Sequence, residues 1–301
     1  MIPKPARSAI VRLDPTIPCP DYVVVGTVTR DIVPNGFVPG GTVTYAGLTA
    51  QGLGQTVGAV TSIGPEISIS DLLPRAQLSI RPADATTTFE NVYAGGHRRQ
   101  WVRAVAASLD LELIPPAWRS ASIVHLAPLA NDFGLDVIRG VRGASLVGLT
   151  PQGWMRAWDD LGAVRRCAWS EPDVALRICD AIVFSEQDVG GDWARCESYA
   201  SRAKLLVVTR GARGCVVYDR GRAWNVPGFP VEEVDATGAG DVFAAAFFIQ
   251  LIRDGNAIEA ARYANCVASF VVEVVGASGI PSSHDIAERL QSVPAALAVA
   301  D

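Results

Sequence analysis

No two cysteines of this sequence stand in a C-x-x-C pair, and its three histidines are not spaced as metal ligands, so a structural zinc centre is excluded. The six cysteines (Cys19, Cys167, Cys179, Cys196, Cys215 and Cys266) read as reduced, mostly buried thiols, because disulfide frameworks belong to much shorter secreted chains. Cationic residues are also scarce. With 26 Lys and Arg against 31 Asp and Glu, the net charge is −5, and basic spots such as His97-Arg98-Arg99 are only local. That balance excludes the clustered positive surface that nucleic-acid phosphates require. No run reaches the roughly 18–20 uninterrupted apolar residues of a membrane-spanning helix. Pro3, Pro5 and Asp14 break up the start of the chain, which lacks the apolar core of a secretion signal. The expectation is a cytoplasmic protein with neither nucleic-acid nor membrane partner. Gly26 is not followed by the G-x-G-x-x-G spacing of dinucleotide-binding folds, which argues against a nicotinamide-dependent oxidoreductase.

What is present is a rich apolar content. Of the 301 residues 49% are hydrophobic and 19% charged, enough apolar surface to offset the entropy of ordering one main domain over residues 1–301. Tyr22–Gly26 is a short β-branched run closed by glycine, and similar runs recur at 122–126, 145–148, 181–184, 204–209 and 214–218. Helical spacing appears between several of them, at 42–53, 133–141 and 192–203. This alternation predicts an α/β fold with a largely parallel central sheet and helices on both faces. Residues 78–105 differ, because short alternating segments are broken by Gly95-Gly96. They predict an antiparallel excursion, either a small β lid over the sheet or an ordinary edge hairpin. The residues after Pro294 read as a loosely held tail.

The most informative stretch is Val234-Asp235-Ala236-Thr237-Gly238-Ala239-Gly240-Asp241, followed by an apolar run from Val242 to Ile252. Gly, Ala and Gly leave backbone amides uncovered where a helix should begin, and the helix dipole favours an anion there. A carboxylate at Asp241 in the first turn would stand beside that anion. It could take the proton of an attacking hydroxyl while the amides stabilise a transferred phosphoryl group. Taken alone, a G-x-G-Asp segment is more commonly a tight turn with an Asp that favours the dipole.

It is not alone. The sequence resembles the ribokinase-like (PfkB) family of carbohydrate kinases, whose D-T-T-G-A-G-D motif is matched by Asp235–Asp241 except at Ala236. A second family motif, two glycines before a helix running into Leu-Gly, is matched by Gly40-Gly41-Thr42-Val43-Thr44-Tyr45 through Leu53-Gly54. Gly26 with Asp31, the segment Thr209–Gly214, and Ser185-Glu186-Gln187-Asp188 as a divergent N-x-x-E follow the family order over about residues 20–285. The stretches Thr86–Asn91 and Gly148–Trp154 are most similar to the subgroup that includes plant inositol kinases.

The resemblance implies a three-layer α/β/α kinase with a small β lid, using ATP and Mg²⁺ and in some relatives a monovalent cation. Its acceptor would be a small sugar or polyol, and analogy adds a homodimer. Asp241 would be the base, with the amides of Gly238, Ala239 and Gly240 as anion hole. Asp31, Gly40, Gly41, Thr42 and Tyr45 would face the acceptor, and Arg98 on the lid would reach it. Thr209, Gly211, Gly214, Ser185 and Asn265 would hold the nucleotide, and Asp188 would serve the metal. Ser185 and Asp188 replace the usual Asn and Glu, and Tyr45 stands where ribokinases carry Asn, which puts simple pentose recognition in doubt. A nucleoside or other small-ring kinase, and a non-catalytic nucleotide- or polyol-binding sensor, remain open as alternatives. His125, in the apolar run Val124–Leu126, reads as a satisfied core histidine.

Overall fold

The computed structural model describes residues 18–94, 97–293 and 298–299. In chain order its strands are β1 (Tyr22–Gly26), β2 (Thr29–Val33), β3 (Gly36–Gly40), β4 (Val57–Ile63), β5 (Gln77–Pro82), β6 (Thr87–Ala94), β7 (His97–Ala104) and β8 (Ile123–Ala127). They continue with β9 (Leu146–Leu149), β10 (Arg156–Trp158), β11 (Val164–Arg166), β12 (Ala181–Ser185), β13 (Leu205–Thr209), β14 (Cys215–Asp219), β15 (Arg222–Val226) and β16 (Ala298–Val299). The helices are α1 (Thr42–Gly52), α2 (Ile69–Leu72), α3 (Leu135–Gly140), α4 (Pro172–Ile178), α5 (Trp193–Ala200), α6 (Ala239–Asp254), α7 (Ala257–Val271) and α8 (Ser283–Ser292).

A ten-stranded sheet in the order β16-β15-β14-β13-β12-β9-β8-β1-β4-β5 forms the middle layer. From β5 to β13 its pairs are parallel, and the remaining three are antiparallel. The inner strands are buried on both faces, which is why β1 reads as an uninterrupted apolar run rather than an alternating one. Tyr22 and Val24 pack with α1, α6 and α7 on one side, whereas Val23 and Val25 pack with α3, α4 and α5 on the other. The result is the three-layer α/β/α arrangement expected. Helix α6 is buried from Val242 through Ile249, as its apolar run requires.

The excursion expected at 78–105 is redrawn. Residues 78–82 belong to β5, which pairs in parallel with β4 as the edge of the main sheet. The separate layer is a four-stranded sheet in the order β3-β2-β6-β7, so it also takes residues 29–40. Its centre is a parallel pairing of β2 with β6 that places Asp31 opposite Phe89. That pairing joins segments far apart in sequence, and local alternation carries no trace of it. Toward the C-terminal end, Ala298–Val299 pairs with Asn225 and Trp224 as an edge strand, while the rest of the expected tail lies outside the described residues. No helix among the described residues is long and apolar enough to cross a membrane.

Candidate active site

Two helix N-termini meet above the carboxyl ends of the parallel strands. Gly41 caps α1 and Gly238 caps α6. The hydroxyl of Thr42, the first residue of α1, donates to Asp241 Oδ1 at 2.7 Å. Gly238 has φ 77°, a left-handed conformation that a side chain disfavours, and a Cβ there would stand 2.5 Å from Cγ and Cε1 of Tyr45. Glycine at this position is therefore required twice, by the backbone and by the ring lying against it. Asp235 holds the preceding turn by accepting from the amides of Thr237 at 2.9 Å and Gly276 at 3.3 Å.

The expected crown of amides is changed at one point. The N–H of Ala239 donates to Ala236 O at 3.2 Å, closing the turn into the helix. Gly238, Gly240 and Asp241 give no backbone hydrogen bond among the described residues, so these amides, not that of Ala239, are the donors left at the helix start.

Asp241 keeps a partly exposed face yet is packed round by protein, and this desolvation pushes its carboxyl up to about 6. The Thr42 hydrogen bond and the Arg156 guanidinium pull it down, while the carboxylates of Asp188 and Asp31 push it further up. Three carboxylates and one guanidinium thus share one field. A base with a pKa near 6 is mostly ionised at neutral pH while remaining a competent proton acceptor.

On the lid side, Gly40 lets the chain pass close to Asp31, since a Cβ there would lie 2.5 Å from Asp31 Oδ2. Tyr45, which the resemblance would set facing the acceptor, is buried. It is only 3% exposed and its ring is spent on Gly238. Burial, then the fields of Asp235, Asp31 and Asp241, push its phenol up to about 12. Arg98 lies on β7, but its side chain falls outside the described residues.

On the other side, a pocket opens next to the start of α6. Its walls include Thr209, Gly211, Gly214 and Asn265 together with Ala239 and Gly240, so residues from three separate segments converge there. Phe229 and Phe243 add aromatic walls that the sequence did not single out. The amide nitrogen of Asn265 is spent on Val226 O at 3.2 Å and Pro227 O at 3.1 Å, which ties α7 to the end of β15 and leaves only its carbonyl oxygen for a ligand. Ser185 is not in this wall. It pairs with Thr209 across the sheet, and its hydroxyl accepts from the Gln187 amide at 3.2 Å.

Asp188 accepts from the Ser185 amide at 2.9 Å and from Gln152 Nε2 at 3.1 Å. One hydrogen bond to each oxygen leaves lone pairs for a hard cation. Among the described residues no three His, Cys, Asp or Glu side chains cluster as a metal cage. The donor set fits a magnesium ion carried mainly by phosphate and water, with Asp188 as its protein carboxylate. Arg156 and Gln152 were not read from the sequence. Gln152 lies within the Gly148–Trp154 stretch and Arg156 just after it, and only the hairpin β10–β11 and the fold of that loop bring them to the cleft.

Residues 182–284, which carry the α6 motif and most of the pocket, match the pfkB family carbohydrate kinase model. The probable fructokinase-5 of Arabidopsis thaliana is 32% identical over 133 residues, a match that spans 41% of either chain and so less than half of that relative's length. Among solved structures, a pyrophosphate-dependent kinase of the ribokinase family, complexed with a pyrophosphate analog and myo-inositol, superposes with TM-score 0.75 at 21% identity, covering 90% of this chain and 100% of the other. Arabidopsis thaliana ribokinase, complexed with ribose and ATP, gives TM-score 0.68 at 20% identity, covering 91% and 99%. The ribokinase-like fold thus extends over nine-tenths of this chain, and its residues 182–284, with the motif seated at the cleft, are similar to the pfkB family of carbohydrate kinases.

Proposed function

We propose that this protein transfers the γ-phosphate of ATP to a hydroxyl group of a small sugar or cyclitol. The observation that carries the reading is the meeting of two helix starts at one carboxylate, sealed by the 2.7 Å hydrogen bond from Thr42 to Asp241, with a pocket alongside. Each helix start contributes about half a positive charge and unpaired amides, and together they suit an anionic group at that point.

In this mechanism the acceptor hydroxyl lies between Asp31, Gly41 and Asp241. Asp31 accepts hydrogen bonds from substrate hydroxyls and so orients the ring. Asp241 takes the proton as the acceptor oxygen bonds to the γ-phosphorus; the bond from that phosphorus to the β–γ bridging oxygen breaks, and ADP leaves. The amides of Gly238, Gly240 and Asp241 receive charge developing on the transferred group, and Arg156 supplies a cation in the same field. Magnesium, when bound at Asp188, neutralises phosphate charge. The mutual field of Asp31, Asp188 and Asp241 is a reason for such a cation, because a polyanion would otherwise enter an already acidic cleft.

Pyrophosphate is a competing donor, suggested by the structural relative that uses it. The pocket beside α6 supports ATP, since pyrophosphate would leave that space without an occupant. For the acceptor, the inositol-bound relative supports a cyclitol. The burial of Tyr45 removes the aromatic wall that a nucleoside acceptor would use.

The test is an acceptor panel of inositols, hexoses, pentoses and nucleosides with ATP or pyrophosphate as donor, followed by ³¹P NMR of the product. A phosphate monoester formed from ATP, and lost in Asp241→Asn, is expected. Ligand binding without any phosphorylated product would make the protein a sensor and end the proposal.

A further inference from the structure

Beneath the cleft runs a buried polar chain that the reaction above leaves unused. Tyr22 on β1 and His125 on β8 are both 0% exposed. The Tyr22 hydroxyl lies 2.6 Å from His125 Nδ1, and His125 Nε2 lies 3.0 Å from Thr150 Oγ1. The imidazole is clamped edge-on by Phe248 of α6, with ring centroids 5.0 Å apart. Burial pushes its pKa down to about 3, so the ring is neutral and has one N–H to give.

Two arrangements of protons are available to this chain. If Nδ1 carried the proton, Tyr22 would receive it, and the phenolic O–H would be left without an acceptor in the core. Among the described residues the Tyr22 hydroxyl has no other hydrogen-bond partner. A buried unpaired donor costs more than the hydrogen bond itself contributes. The other arrangement satisfies every buried donor: Tyr22 O–H donates to Nδ1, and Nε2–H donates to Thr150 Oγ1. The Thr150 hydroxyl is then an acceptor from His125, and its own proton has no protein acceptor among the described residues. Thr150 is half-buried, at the carboxyl end of β9, between the strands that lead to Ala127 and Ser185. Ligands of open α/β sheets bind at that edge. Two residues further on, Gln152 reaches Asp188, and the charge of Asp241 is felt at the Tyr22 phenol, so the chain runs under the reacting groups.

We infer that Tyr22 and His125 are positioning residues that oblige Thr150 to aim its hydroxyl proton into the cleft, where an oxygen of the transferred phosphoryl group receives it. One lone pair of Thr150 Oγ1 is already taken, so the group acts chiefly as a donor. A phosphoryl oxygen only accepts and matches it, whereas a sugar hydroxyl must also donate. The identity of this recipient rests on the kinase reading, but the direction of the protons does not.

The histidine tautomer is read by ¹⁵N NMR of the whole protein, which has only three histidines, His97, His125 and His284. His125 is expected as the Nε2–H tautomer, unchanged between about pH 5 and 8. Detection of an Nδ1–H tautomer overturns the inference. In kinetics, Thr150→Val should lower kcat by roughly ten- to a hundredfold, the loss of one hydrogen bond to a charged group, with both KM values within about twofold. Thr150→Ser should retain activity, and Tyr22→Phe should mix the tautomers and lower kcat less. A Thr150→Val enzyme with unchanged kcat, or with only the acceptor KM raised, overturns the phosphoryl assignment. Absence of turnover in the wild type overturns the kinase reading and the recipient with it, while the imidazole spectrum still decides the proton lock.

Discussion

Replacing Asp241 by Asn should make the protein more stable while removing its turnover. Burial holds the Asp241 carboxyl at about 6, against 3.8 for the unperturbed group. Between those values the folded state binds more protons than the unfolded one, so the wild type loses stability as pH rises through that window. A gap of about two units corresponds to at most about 3 kcal/mol, fully expressed above pH 6 and absent near pH 4. Asn has nearly the same shape, and its carbonyl can still accept from Thr42, so the variant keeps that hydrogen bond without the buried charge. Its advantage over wild type should therefore be near zero at pH 4, grow to pH 6 and then level off. For a chain of this size, that appears as a rise of a few degrees in Tm at pH 8. Thermal denaturation of both proteins at a series of pH values, at one ionic strength, measures the difference directly. A variant less stable than wild type at pH 8, or a difference that does not change with pH, would refute the claim that desolvation governs this carboxylate. In the same variant kcat should fall by roughly 10²–10⁴, the ordinary contribution of a general base.

In the wild type, kcat/KM should rise with a single proton loss near pH 6 and then level off, and a flat profile from pH 5 to 8 would remove Asp241 from the base role. Thr42→Val deletes the hydrogen bond that lowers the Asp241 pKa. The acid limb should move up by about half a unit to one unit, so the variant is impaired more at pH 6 than at pH 8. Gly238→Ala meets both a positive φ and the Tyr45 ring. It should cost more than about 2 kcal/mol in chemical denaturation, and a change below about 0.5 kcal/mol would contradict that packing. Asp188→Asn should raise the magnesium concentration needed for half-maximal rate by roughly tenfold or more. An unchanged magnesium titration would assign Asp188 to the Ser185–Gln187 turn alone.

The acidic cleft and the positive helix starts oppose each other by design of the fold rather than by any single side chain. Asp31 arrives on the four-stranded sheet, Asp188 after β12 and Asp241 on α6, so their mutual repulsion exists only once three elements are assembled. Thr42 and Arg156 partly relieve it, one by a hydrogen bond and the other by charge. The residual negative field gives a physical reason for cation dependence that is independent of how many ligands the protein itself supplies.

Local chemistry was enough to mark much of this protein. A strand buried on both faces must be apolar throughout, so β1, β8, β12 and β13 are visible as runs of Val, Ile and Leu, and a helix start that carries bare amides must have small residues, so Gly238-Ala239-Gly240 stands out before Asp241. Contacts between distant segments were not written in any local pattern. Tertiary structure alone joined β2 to β6, moved residues 78–82 into the main sheet, placed Tyr45 under Gly238, brought Arg156 into the field of Asp241 and bridged Asp241 to Thr42. His125 shows the boundary most clearly. Its apolar neighbours identify a buried ring, but which nitrogen holds the proton is decided by Tyr22 and Thr150, which reach it from other strands. Periodicity and propensity act over a few residues, whereas burial, pKa and hydrogen-bond direction depend on whatever the fold packs alongside.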